Sequence, residues 1–182
     1  NPKYIKRSEI IWDKGTDRAQ FFRGEIDKYS WVDLGSSYLP GEIIAAFLYP
    51  QLQKSESINA SRMEKWKNYY SRFKKLKGIF KFPGVPAECS HNAHLFYLLT
   101  RTHDEQVSLL STLKEEGVNA VFHYVPLHLS VAAKKFNCRY SDLKYTERLS
   151  ERLIRLPLYP DLSNEEQDKV IDVVTSWATK LA

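Results

Sequence analysis

The chain has 182 residues, enough for one full domain or for one domain and part of another. Hydrophobic residues make up 43% of it, with only 7 glycines and 8 prolines, which favours a folded globular protein over a disordered one. Its two cysteines match no metal-binding spacing or disulfide framework, and no apolar run is long enough to cross a bilayer. We therefore expect a globular protein of the reducing cytoplasm, without a membrane partner.

The formal net charge is +5, which favours anionic partners without distinguishing nucleotides, phosphates and nucleic acid. The only methionine is Met63, so the sequence has no initiator methionine and opens within a helical pattern. We expect the sequence to be a portion of a longer protein, although simple N-terminal processing would leave the same pattern.

The N-terminal stretch combines a helix with a long aromatic loop. Apolar residues between Tyr4 and Trp12 share one helical face, and Gly15 is typical of the end of a helix. Residues 16–41 show no regular periodicity, yet they carry more large aromatic side chains than a solvated linker usually does. These are Phe21, Phe22, Tyr29, Trp31 and Tyr38. We predict that the loop is buried against the protein or forms a ligand or subunit surface, and we favour the second.

Two helices are predicted after this loop. Pro40 suits the first turn of the first helix, and the second extends over about residues 56–77. The apolar stripe of the second helix consists of Trp66, Tyr69, Tyr70, Phe73 and Leu76. Lysines and arginines cover the rest of it, an arrangement that could contact nucleic acid but is usually a solvated face.

From residue 94 onward the pattern is β-α-β-(α)-β-α, which predicts an α/β fold with one small sheet covered by helices. Residues 94–100 form the first predicted strand, in which Leu95, Tyr97 and Leu99 share one side. The spacing from Thr102 to Glu105 is that of a capping box before a helix. Later come a short helix at 145–151, a strand at 153–156 ended by Pro157, and a last helix after a second capping box at 163–166.

The central predicted strand leads into the sequence HYVPLH at residues 123–128. Residues 118–124 alternate with the period of two typical of a strand, and Pro126 cannot donate to a sheet ladder. Two imidazoles and a phenol thus surround a strand end, a place where ligand-binding groups are common. By local pattern alone, half-buried residues with satisfied hydrogen bonds are the more frequent interpretation.

Seven short motifs together resemble one enzyme family. They are WDKGTDR at 12–18, FFRG at 21–24, DKYSW at 27–31, GSSYLP at 35–40, NAH at 92–94, HYVPLH at 123–128 and LPLY at 156–159. Each motif is weak alone, but their order and spacing resemble the C-terminal half of a pyridoxal-phosphate-dependent sugar aminotransferase of the DegT/DnrJ/EryC1/StrS family. The resemblance covers nearly the whole chain.

The resemblance implies a type I aminotransferase fold in an obligate homodimer. Residues 1–54 would be the end of the large cofactor-binding domain, with a dimer-contact loop, and residues 55–182 the linking helix and the small C-terminal α/β domain. The lysine that holds pyridoxal 5'-phosphate is expected upstream of this chain, so the chain alone is expected to be inactive. The implied substrates are glutamate and a nucleotide-linked 4-keto-6-deoxy sugar, with dTDP-4-keto-6-deoxyglucose expected. The implied role is lipopolysaccharide or enterobacterial common antigen biosynthesis.

The resemblance also implies roles for individual residues. Ser37 stands where many members have an Asn that reaches the cofactor phosphate of the neighbouring subunit, and a hydroxyl can still donate there. The Arg two positions later in those members is Leu39 here, so one anion contact is lost. The residues that resemble substrate-binding positions are Arg23, Tyr29, Trp31, His123, Tyr124 and His128.

Two other classes of function stay open from the residues alone. The lysine-rich helix and the 13% aromatic content would suit a basic nucleic-acid-binding domain, although no nucleic-acid motif supports it and we expect no nucleic-acid partner. A non-catalytic interaction module is the other alternative.

Overall fold

A computed structural model describes residues 1–138 and 142–181. The helices of this described part are α1 (Ile5–Trp12), α2 (Arg18–Phe22), α3 (Glu42–Gln53), α4 (Ser55–Phe73), α5 (His103–Glu115), α6 (Val131–Lys135), α7 (Lys144–Ser150) and α8 (Asn164–Thr179). The strands are β1 (Phe96–Leu99), β2 (Val121–Phe122) and β3 (Leu153–Leu156). Short 3-10 helices lie at Pro2–Tyr4, Lys74–Leu76 and Leu127–Leu129. The chain forms two compact units, Asn1–Lys54 and Ser55–Ala182.

In the N-terminal unit, α1 is followed by a sharp turn at Gly15, whose φ is 79°. The returning loop pairs with this turn through backbone bridges between Asp13 and Ser37 and between Thr16 and Trp31. A Cβ placed on Gly35 would lie 2.0 Å from the backbone N of Gly15, so this close approach requires glycine. The predicted N-terminal helix is confirmed, but α2 interrupts a stretch that was expected to be irregular throughout.

Helix α3 is apolar around most of its circumference, and its large apolar side chains are exposed in this chain. It begins after Gly41, which is its N-cap, so Pro40 lies outside the helix rather than in its first turn. The difference arises because Gly41 keeps an extended backbone, with ψ of 154°, and only Glu42 enters the helical region.

The sheet of the C-terminal unit has the order β1-β3-β2, and both pairings are antiparallel. Phe96 lies opposite Leu156, and Phe122 lies opposite Ile154. The strand predicted to be central is therefore a two-residue edge strand, while the predicted strand at 153–156 is the middle one. The edge strand ends at Phe122, well before Pro126, so the proline is not what stops it.

The core of this unit lies between the sheet and the helices α4, α5 and α8. Tyr69 and Phe73 of α4 pack on Phe96, with ring centroids 5.2 and 6.1 Å apart. The fully buried side chains of β1 are Phe96 and Leu98, because these positions face the helices, whereas Tyr97 on the predicted apolar side is only half-buried. Helices α5 and α8 add Leu109, Leu113, Val170, Ile171 and Val174.

Both predicted helix starts are present, but only one forms a complete capping box. Ser163 and Glu166 exchange both hydrogen bonds at the start of α8. At the start of α5, the Thr102 hydroxyl accepts from the Glu105 backbone N–H at 3.2 Å, whereas the Glu105 carboxylate accepts from the backbone and side chain of Arg101. Burial opposes the ionisation of Glu105, but the hydrogen bonds from Arg101 outweigh it and lower the pKa of this carboxyl.

Among residues 1–138 and 142–181, no helix combines the length and apolarity needed to cross a bilayer. The architecture of the C-terminal unit, the long helix α4 followed by a small sheet covered by helices, agrees with the α/β fold predicted from the sequence.

Candidate functional site

A cleft of about 450 Å³ opens beyond the end of β2 in the C-terminal unit. One wall is α5, through Gln106, Val107 and Leu110, and the other is formed by residues 122–126. The lining is mostly apolar, with His103, His123 and Glu151 supplying polar groups. An apolar cleft with a few polar groups is the usual form of a small-molecule site.

His123 and Tyr124 both line this cleft. Strand alternation would send neighbouring side chains to opposite faces, but β2 has already ended at Phe122, so both can point the same way. Their rings meet edge to face, with centroids 5.7 Å apart, and both side chains are exposed. The structure therefore brings together two of the residues that the sequence singled out.

Arg155 of β3 does not line the cleft itself but contacts Tyr124, which does, and was not predicted. Its guanidinium lies 5.4 Å from the centre of the Tyr124 ring, and its Nη2 donates to the backbone oxygen of Phe122 at 3.3 Å. A sequence signal did exist, because a charged residue stands between the buried Ile154 and Leu156 of a short alternating strand.

His128 is not brought to the cleft. Its side chain is 8% exposed, and its Nε2 lies 2.9 Å from a carboxylate oxygen of Glu147. This contact connects the 3-10 helix Leu127–Leu129 to α7. The contact therefore ties the segment that follows the cleft wall to α7.

Arg23 of the N-terminal unit is already paired with two carboxylates. Its Nη1 and Nη2 donate to Glu9 at 2.9 and 3.0 Å, and its Nε donates to Glu25 at 2.7 Å. Hydrogen bonds to Glu25 and Glu9 raise the pKa of Arg23, and the same contact lowers the pKa of Glu25. Within this unit, therefore, the positive charge of Arg23 is largely compensated.

The other predicted residues of the aromatic loop differ in their surroundings. Tyr29 contacts Phe21, with ring centroids 5.5 Å apart, while Trp31 is 74% exposed. Ser37 is exposed, and its hydroxyl forms no hydrogen bond with the described residues. A free hydroxyl donor of this kind fits an anionic ligand such as a phosphate group.

Comparison with known proteins identifies the family. Residues 1–175 match the DegT/DnrJ/EryC1/StrS aminotransferase family. The chain is 31% identical over 152 residues to the uncharacterized protein MJ1066 of Methanocaldococcus jannaschii, covering 81% of this chain and 38% of that protein. It is 26% identical over 138 residues to the spore coat polysaccharide biosynthesis protein SpsC of Bacillus subtilis, covering 73% of this chain and 35% of SpsC.

A solved structure shows the same fold. DesV of S. venezuelae, determined in complex with a ketimine intermediate, superimposes with a TM-score of 0.82 at 27% identity, covering 98% of this chain and 45% of DesV. The fold is that of the fold type I aminotransferases. The chain spans less than half the length of each of these relatives. The match over residues 1–175 establishes that this chain belongs to the DegT/DnrJ/EryC1/StrS aminotransferase family.

Proposed function

We propose that the chain forms the C-terminal portion of a sugar aminotransferase. The enzyme would move an amino group from glutamate to the keto carbon of a nucleotide-linked 4-keto-6-deoxy sugar, with dTDP-4-keto-6-deoxyglucose as the expected acceptor. The observation that carries the proposal is the cleft after β2, where His123 and Tyr124 come together in a chain of this family. Its apolar lining and polar rim suit a substrate that combines a nucleobase, a sugar and a diphosphate.

The cofactor of such an enzyme would be pyridoxal 5'-phosphate, which supplies an electron sink for amino transfer when bound. In this chain Ser37 fits its phosphate group, since the hydroxyl is exposed and forms no hydrogen bond with the described residues. The backbone bridge between Asp13 and Ser37 fixes the position from which this hydroxyl would donate.

The aromatic loop of the N-terminal unit would contact a second copy of the protein in a homodimer. Phe22, Trp31 and Tyr38 are 70%, 74% and 65% exposed in this chain. Clustered exposed aromatics of this size usually mark a contact surface. Tyr29 and Trp31 would then approach the partner's active site, whereas Arg23 would support the loop through Glu9 and Glu25.

His123 would hydrogen-bond the sugar or diphosphate of the acceptor, and Tyr124 would pack against it. The test is the His123→Ala variant of the full-length enzyme, with half-reactions measured separately. We expect a higher KM for the sugar nucleotide and a nearly unchanged half-reaction with glutamate.

The matched control is His94→Ala, which removes another exposed imidazole of the same unit. It should leave both half-reactions unchanged. Equal damage to both half-reactions by His123→Ala would contradict the proposed role, because it would place His123 at the cofactor or in the support of the fold.

A further inference from the structure

We propose that Arg155, together with His123, binds the diphosphate group of the substrate beside Tyr124, a residue of the cleft wall. The inference rests on the function proposed above, because the diphosphate would be that of the nucleotide-linked sugar. Its physical basis is a half-buried arginine on the middle strand of the sheet that has no ion pair with the part of the chain that the structure describes.

Arg155 occupies the middle strand of the sheet. Its backbone pairs with Tyr97 of β1 on one side and with Val121 of β2 on the other. Its sequence neighbours, Ile154 and Leu156, are buried in the core. A side chain carried by such a strand starts from a fixed point, which favours a preorganised binding group over a mobile surface charge.

Within residues 1–138 and 142–181, no carboxylate balances the charge of Arg155. No carboxylate of the described residues forms an ion pair with it, whereas Arg23, Arg72 and Arg101 each pair with one or more. Its Nε is buried and has no hydrogen-bond partner within the described ranges. The Nη2 end of the guanidinium is exposed, so an incoming anion can pair with the charge without displacing a carboxylate of the described residues.

The contacts that Arg155 does make orient it without consuming its hydrogen-bonding capacity. The bond from Nη2 to the Phe122 oxygen is long, at 3.3 Å, and the Tyr124 ring supports the guanidinium at 5.4 Å. The N–H groups of Nη1 are left for a ligand. An arginine held in this way can present a planar pair of donors to phosphate oxygens.

Two groups that can carry positive charge meet at one tyrosine. The rings of His123 and Tyr124 have centroids 5.7 Å apart, and Arg155 contacts the same Tyr124 ring. A carboxylate carries one negative charge and needs only one such partner. A diphosphate carries more than one and is matched by two, so we assign this site to a diphosphate.

Calorimetric titration of the intact protein with inorganic pyrophosphate tests the assignment. Replacing Arg155 with glutamine should weaken pyrophosphate binding about tenfold to a hundredfold, the usual effect of losing a charged hydrogen-bonding group. Arg155→Lys should lie between this variant and the wild type, because an ammonium keeps the charge but not the planar fork. The matched control is Arg148→Gln, which removes an arginine 5.5 Å from the Tyr145 ring and should leave pyrophosphate affinity unchanged.

Thermal unfolding of each variant verifies that it folds. If Arg155→Gln does not fold, the pyrophosphate affinity of Arg155→Lys is compared with that of the wild type instead. Wild-type affinity in the folded variant would overturn the assignment. If Arg155→Gln lost affinity for glutarate but kept its affinity for pyrophosphate, the assignment would also be overturned, since the site would then serve a carboxylate. If the enzyme transfers no amino group to nucleotide sugars but Arg155→Gln still loses pyrophosphate, the proposed function fails and the diphosphate site stands.

Discussion

Replacing Gly35 with alanine should open the loop that carries Ser37. A Cβ at this position would lie 2.0 Å from the N and 2.6 Å from the Cα of Gly15, and both are backbone atoms that cannot swing away. The turn at Gly15 has no freedom to compensate, because its own φ of 79° already requires glycine. The two backbone segments must therefore separate.

The cost follows from the hydrogen bonds that join these segments. Lys14 N–H donates to the Ser36 oxygen at 3.0 Å, and the N–H groups of Val32 and Asp33 both donate to the Gly15 oxygen, at 2.8 and 3.0 Å. At a net 0.5–1.5 kcal/mol for each bond, losing all three destabilises the loop by roughly 1.5–4.5 kcal/mol. Because Ser37 is only two residues away, the proposed contact of its hydroxyl with the cofactor phosphate should weaken as well.

Amide hydrogen exchange measures this local opening directly. We expect the Lys14, Val32 and Asp33 amides to exchange about tenfold faster or more in Gly35→Ala than in the wild type. Gly41→Ala is the control, since a Cβ there meets no atom within 4 Å and its φ is −67°. Equal exchange rates in the two variants would refute the idea that the contact between Gly15 and Gly35 fixes the loop.

Two further predictions concern the stability of the C-terminal unit. The pKa of Glu105 lies below its ordinary value of 4.5. The ionised carboxylate therefore contributes its full stabilisation above pH 4.5, and this contribution is lost as the pH falls through the folded-state pKa. Glu105→Gln should therefore lower the melting temperature at pH 7, and the deficit should shrink in acid; a deficit independent of pH would contradict the ion pair with Arg101. The fully buried Tyr69 donates its hydroxyl to the Pro157 oxygen at 3.0 Å, so Tyr69→Phe should cost about 1–3 kcal/mol in urea unfolding. An unchanged unfolding midpoint would show that the hydroxyl bond contributes nothing net.

Local sequence patterns determined most of the elements of this protein. The stripe of Trp66, Tyr69 and Phe73 is confirmed as the buried face of α4, and the capping box at Ser163 opens α8 as predicted. The strand before Pro157 has the predicted bounds, because a proline cannot extend a sheet ladder. The resemblance to the DegT/DnrJ/EryC1/StrS family, carried by the order of seven short motifs, is confirmed by the match over residues 1–175.

Tertiary structure decided which strand lies in the middle and which groups meet at the cleft. Periodicity within a strand does not specify its neighbours, so the segment before His123 had the pattern of a full strand and became a two-residue edge. For the same reason the pairing of Arg155 with Tyr124, 31 positions apart along the chain, has no local signature. The early end of β2 allows His123 and Tyr124 to share one cleft, and the middle position of β3 brings Arg155 beside Tyr124. Both depend on long-range strand pairing, which arises when the separate segments pack on one core.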